Sequence, residues 1–98
     1  MEVSPDVAAL VPGYLASKWK QMEEARDQLL KGDFELVRRF GHNLRGTARG
    51  YGFPPLEHIG KELEAAAASR QEASTAAQLE HLRQFLQHES VTVTALSA

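Results

Sequence analysis

The chain has 98 residues, no cysteine, and 11 Lys plus Arg against 13 Asp plus Glu, for a net charge of −2. With 43% hydrophobic and 24% charged residues, it has the composition of one small globular domain over residues 1–98 rather than of a disordered segment. The missing cysteines exclude disulfides, thiolate metal sites and a thiol nucleophile, and the charge balance offers no basic excess to hold a polyanion.

Ser4-Pro5-Asp6 has the form of a helix start: a hydroxyl N-cap, a proline at the first helical position, and an acid at the positive end of the dipole. Pro12-Gly13 interrupts this first segment, so a short or kinked extra N-terminal helix is expected ahead of the main one. From there to Lys31, Val11, Tyr14, Leu15, Met22 and Leu29 recur at helical spacing, with Lys18 falling inside the apolar stripe. Gly32-Asp33 ends that helix and caps the next.

The second helix is expected from about Phe34 to Gly50. Val37, Phe40, Leu44, Ala48 and Tyr51 stand at i, i+3, i+7, i+11 and i+14 and form its apolar stripe. Gly52-Phe53-Pro54-Pro55 stops this helix and starts another, whose stripe is Leu56, Ile59, Leu63 and Ala67. A polar connection at Ser69–Ser74 follows, and Leu79, Leu82 and Leu86 carry a fourth stripe. Val91-Thr92-Val93-Thr94 looks strand-like, but a lone strand has no sheet to join, so residues 90–98 are expected to form a tail. The fold class is all-α: an antiparallel, up-and-down four-helix bundle with short loops. Met1 suits a separate chain.

The second helix carries an unusual face. At about 100° per residue, His42 lies nearly opposite the apolar stripe, and Arg38, Arg45 and Arg49 share its side. Between residues 34 and 50, Arg38, Arg39, Arg45 and Arg49 stand against Glu35 alone, which leaves +3 in a chain whose total is −2. Gly41, Gly46 and Gly50 lie in the same helix, although a glycine in a helix interior costs on the order of 1 kcal/mol relative to alanine. Nothing in the apolar pattern asks for them. A bare stretch of helix beside an accessible imidazole and several cations suits the close approach of an anionic group or an acidic partner.

The run His42-Asn43-Leu44-Arg45-Gly46-Thr47-Ala48, followed by Gly52, Leu56 and Leu63-Glu64, resembles the histidine-containing phosphotransfer (HPt) domain of bacterial phosphorelays. The pattern is a His, any residue, Leu, a basic residue, Gly and two small residues. A Gly then stands ten positions after the His, an apolar residue four further on, and a Leu-Glu pair in the next helix. The resemblance implies that His42 is the phosphoacceptor, that Arg45 screens the phosphoryl charge, and that Gly46 is left bare for a docking receiver domain. It also implies that Glu64 bonds the second imidazole nitrogen and fixes the tautomer. The helical wheel places Glu64 only at the flank of its own stripe, where a surface pair with Lys61 is the alternative. Geometry alone adds Arg38, Arg49 and Gly50 to the docking face. Tyr51 before Gly52, with Pro54-Pro55 behind, makes a stiff turn at the end of that face.

The expected partners are a response-regulator receiver domain and a sensor or hybrid histidine kinase. No Gly-rich phosphate loop and no acidic cluster suited to Mg²⁺ is present, so no cofactor is expected in this chain, and the Mg²⁺ would sit on the receiver. The domain would be a phosphoryl carrier without autokinase activity, not an enzyme in its own right, and as a transient relay partner it is expected to be monomeric. His81 and His88 stand seven apart and His58 lies elsewhere, a spacing that makes no metal site. Nucleic acid is not an expected partner, given the acidic remainder of the chain. No apolar run approaches the ~18 residues of a membrane span, and the N-terminus lacks a signal-peptide pattern, so the expected location is the cytoplasm. The rival class is a helical module of the same fold that docks receiver or kinase domains without carrying phosphate.

Overall fold

Three of the four helices are closed by the same backbone device. In each, the last carbonyls of the helix take N–H groups from two residues beyond it, and the first of those two residues adopts a left-handed conformation. After α1 (Pro5–Leu30), Gly32 (φ 80°) donates to the Leu29 carbonyl at 3.0 Å and Asp33 to that of Gln28 at 2.9 Å. After α2 (Phe34–Ala48), Gly52 (φ 84°) donates to Arg49 at 3.1 Å and Phe53 to Ala48 at 2.9 Å. After α3 (Pro54–Ala68), Arg70 (φ 55°) donates to Ala67 and Gln71 to Ala66, both at 3.0 Å. The turns they leave, 31–33, 49–53 and 69–71, are short enough to send each helix back along its predecessor.

The computed structural model describes the backbone of residues 5–97 and the side chains of residues 6–89. The proposed Ser4 N-cap lies outside the described residues. Two expectations are corrected. Pro12 sits inside α1, which runs unbroken from Pro5 to Leu30, so the extra N-terminal segment is the opening of one long helix. Proline removes the bond to the Ala8 carbonyl, but both residues are exposed, so that carbonyl is open to solvent. Residues 90–97 are not a strand-like tail; they continue α4 (Glu72–Ser97). The propensity deficit of Val and Thr in a helix is a few tenths of a kcal/mol each, whereas an unpaired strand leaves its backbone groups without a ladder.

The helices form a ring in which α2 packs on α3, α3 on α4, α4 on α1 and α1 on α2, with no close backbone approach across either diagonal among the described residues. The stripes read from the sequence meet at its centre. Met22, Val37, Leu44, Leu56, Leu63, Leu82 and Leu86 are all wholly buried, each worth about 1.5–3 kcal/mol of transfer free energy. An aromatic cluster closes the end near the 49–53 turn. Tyr14 stacks on Tyr51 with ring centroids 3.9 Å apart, Phe53 meets Phe85 edge-on at 5.9 Å, and the Tyr14 hydroxyl bonds Thr47 Oγ1 at 2.8 Å. This cluster fixes where α2 ends and how it faces α1.

Candidate functional site

Asp33 starts α2 by accepting the Leu36 N–H at 3.1 Å, as a side-chain cap does. The stripe Val37–Leu44–Ala48 then turns the helix so that position 42 faces outward. The His42 side chain is 57% exposed, yet its Nδ1 lies 2.7 Å from Oε2 of Glu64 on α3. A carboxylate can only accept, so Nδ1 carries the proton and donates it. In the neutral ring this leaves the lone pair on Nε2.

Two arginines of α2 flank the same carboxylate. Arg45 Nη2 stands 3.5 Å from Glu64 Oε1, and Arg38 Nη1 stands 3.9 Å from Oε2. Arg45 Nη2 is also 3.4 Å from His42 Nδ1, but a nitrogen that donates to Glu64 has no lone pair for a second donor. The hold on Arg45 is therefore the carboxylate. Arg38 is committed elsewhere: its Nη2 and Nε donate to the two oxygens of Glu35 at 2.6 and 2.9 Å. That bidentate bond holds the Glu35 carboxyl below its usual range and raises the guanidinium of Arg38 above its own. Arg49, one turn beyond Arg45, has only a loose contact with Glu57 at 3.9 Å.

The structure thus brings His42, Arg38, Arg45 and Glu64 together, with Gly46 bare beside them. A Cβ on Gly46 would meet nothing within 4 Å, and one on Gly50 would meet only the Thr47 carbonyl at 3.6 Å. Gly41 does not belong to this open face. It is buried against α3, where a Cβ would stand 2.7 Å from the Glu64 nitrogen. Its counterpart is Gly60, whose Cβ would stand 2.6 Å from the Arg45 nitrogen. Gly60 was not anticipated as part of the site. The available signal was a glycine inside an otherwise good helix, next to the stripe residue Ile59 and one turn before Glu64.

His58 is exposed on α3, and His81 and His88 lie on α4, diagonal to α2 in the ring. Among the described residues no group of three or more His, Asp or Glu side chains could hold a metal ion. No helix among them is long and apolar enough to cross a membrane.

A four-helix bundle that presents a carboxylate-bound histidine on an arginine-bearing helix is the arrangement the chain shows. The sequence model of the Hpt domain matches residues 14–90, and the chain belongs to that family. Hpt domains are the phosphocarriers of two-component signalling; they work with receiver and kinase domains and are generally not enzymes. No curated protein and no solved structure matches the chain.

Proposed function

We propose that His42 is the phosphoryl acceptor and donor of this domain. The observation that carries the reading is the 2.7 Å bond from Nδ1 to Glu64, made by a side chain that is otherwise open to solvent. With Nδ1–H held there, Nε2 is the nucleophile. It attacks the phosphorus of a receiver's aspartyl phosphate in line; the Nε2–P bond forms as the bond from phosphorus to the aspartate oxygen breaks, and the aspartate leaves as a carboxylate. The phosphorylated ring keeps its Nδ1 proton and becomes cationic, and Glu64 stabilises that charge. Reversal on a second receiver returns the ring to neutral.

The remaining groups supply position and charge. Arg45 can leave Glu64 for the phosphoryl oxygens, because a 3.5 Å contact is easily given up. Gly46 leaves room for the acidic pocket of the receiver, and Arg38, Arg49 and Gly50 border that face. The Mg²⁺ that neutralises the transferring group belongs to the receiver, so the chain carries phosphate without being an autokinase. The partners are a receiver domain and a sensor or hybrid kinase, met by a monomeric carrier.

The test is transfer of label from a receiver domain charged with a small phosphodonor in Mg²⁺. The labelled product should be acid-labile and base-stable, as a phosphohistidine is, and His42→Gln should take up none. Labelling of that variant at the parent's level refutes the assignment. A parent that binds receivers but stays unlabelled is a docking module instead.

A further inference from the structure

The Glu64 carboxylate reaches His42 because α2 and α3 nearly touch, and they touch at two glycines. A Cβ on Gly41 would lie 2.7 Å from the backbone nitrogen of Glu64 and 3.1 Å from its Cα. A Cβ on Gly60 would lie 2.6 Å from the backbone nitrogen of Arg45 and 3.0 Å from its Cα. The space left by each absent side chain is therefore filled by the backbone of a site residue on the opposite helix. Gly41 immediately precedes His42, and Gly60 stands one turn before Glu64. Gly46, on the open side of α2, and Gly50, in the turn that follows, have no such neighbour.

We propose that Gly41 and Gly60 are positioning residues, a seam whose closeness sets the tautomer of His42. The seam acts through Glu64. Ordinary contact begins at 3.4 Å, so a methyl on Gly41 would push Glu64 back by the difference from 2.7 Å, about 0.7 Å. The same displacement would stretch the His42–Glu64 bond from 2.7 Å to about 3.4 Å, beyond the usual hydrogen-bond range. Nδ1 would then lose the acceptor that keeps its proton in place, and the neutral ring would populate the form protonated on Nε2. That form has no lone pair where the phosphoryl group arrives. Only this kinetic consequence rests on His42 being the phosphoacceptor; the tautomer itself does not.

The experiment reads the ring directly, from the two-bond ¹⁵N–¹H spectrum of the His42 side chain in the intact chain at a pH where the imidazole is neutral. The parent should show Nδ1 protonated, and Glu64→Ala should set the mixed endpoint. Gly41→Ala should move most of the way to that endpoint, while Ala25→Gly, a core change on α1, should lower Tm without moving the signature. Added to Glu64→Ala, Gly41→Ala should change nothing further, because a residue acting through Glu64 has no effect once Glu64 is gone. A folded Gly41→Ala chain with the parent's His42 signature overturns the proposal. Glu64→Asp, one methylene shorter, keeps the test open if Gly41→Ala fails to fold. A fixed seam prevents it from reaching, so its signature should match Glu64→Ala, and retention of the parent signature also overturns the proposal. Transfer from a charged receiver should slow by on the order of tenfold or more in Gly41→Ala; a parent-like rate with a shifted tautomer removes the kinetic half. Label on His42→Gln would defeat the phosphoacceptor reading and leave the seam standing.

Discussion

Oε2 of Glu64 lies 2.7 Å from Nδ1 of His42, although the two residues are 22 positions apart and sit on different helices. This pairing is what separates His42 from the exposed histidines at 58 and 81. Those present a ring to water; His42 presents a ring with its proton assigned. Glu64 itself is only 19% exposed, so its charge is less screened than that of the surface carboxylates around it.

Glu64→Ala should therefore slow phosphoryl transfer to His42 by on the order of 10–100-fold while leaving the fold intact, since alanine is a good helix former at this position. Stopped-flow transfer from a charged receiver and a thermal melt of the same sample decide it. A parent-like rate would show that Glu64 does no more than pair with the neighbouring arginines.

Helical periodicity alone placed the four stripes, the outward His42 and the arginines beside it, because each is a property of one helix turning at a fixed angle. It did not place Glu64. The wheel sets the angle of Glu64 on α3 and of His42 on α2, but not the distance between the helices, and that distance is what Gly41 and Gly60 set. Gly41 was read as bare surface for the same reason: from one helix, a glycine that admits a partner molecule looks like a glycine that admits the next helix. Pro12 and Val91–Thr94 misled in the opposite way. Local preference argued against a helix at each, and continuation of an established helix outweighed it.

Arg45 and Arg49 should steer the approach of an acidic receiver more than Arg38 does. Arg38 is closed on Glu35 by two bonds of 2.6 and 2.9 Å, whereas the nearest carboxylates to Arg45 and Arg49 stand 3.5 and 3.9 Å away. Arg45→Ala and Arg49→Ala should each slow association several-fold at low ionic strength, and much less at high salt, where the Debye length falls to a few ångströms. Arg38→Ala should have the smallest effect. Equal slowing at both salt concentrations would remove the steering argument.

Lys18 lies in the apolar stripe of α1, 7% exposed. Its ammonium bonds only Gln21 Oε1, at 3.1 Å, and lies 5.3 Å from the centre of the Tyr14 ring. Burial lowers its pKa from the ordinary 10.5. The folded chain thus holds this proton less tightly than the unfolded one, and the resulting destabilisation is present in full below the folded value. It fades as the pH climbs from the folded value toward 10.5. Lys18→Met should stabilise the domain by about 1 kcal/mol at pH 7, a rise in Tm of about 4–8 °C. The advantage over the parent should shrink as the pH nears 10.5. The raised pKa of Tyr14 favours unfolding above pH 10 in both proteins and cancels in the comparison. Melts across the alkaline range check the sign, and a gain that grows with pH would contradict it.

Gly46→Ala separates stability from function most directly. Position 46 is helical and open, with nothing within 4 Å of an added Cβ, so the methyl meets no neighbour in the free domain. Alanine for glycine inside an exposed helix stabilises by about 0.8–1 kcal/mol, and Tm should rise by several degrees. Under the proposed exchange, the same methyl stands where a receiver would bring its aspartate, one turn from His42. Affinity for the receiver and the rate of transfer should both fall, and Gly46→Leu should lower them further while still folding. A residue whose enlargement strengthens the fold and weakens the exchange is left bare for a partner. Gly50→Ala is the comparison, since its Cβ would touch only the Thr47 carbonyl at 3.6 Å and it lies two turns from His42. Its effect on transfer should be the smaller of the two, and a Gly46→Ala chain that exchanges phosphate at the parent's rate would move the docking surface off this face.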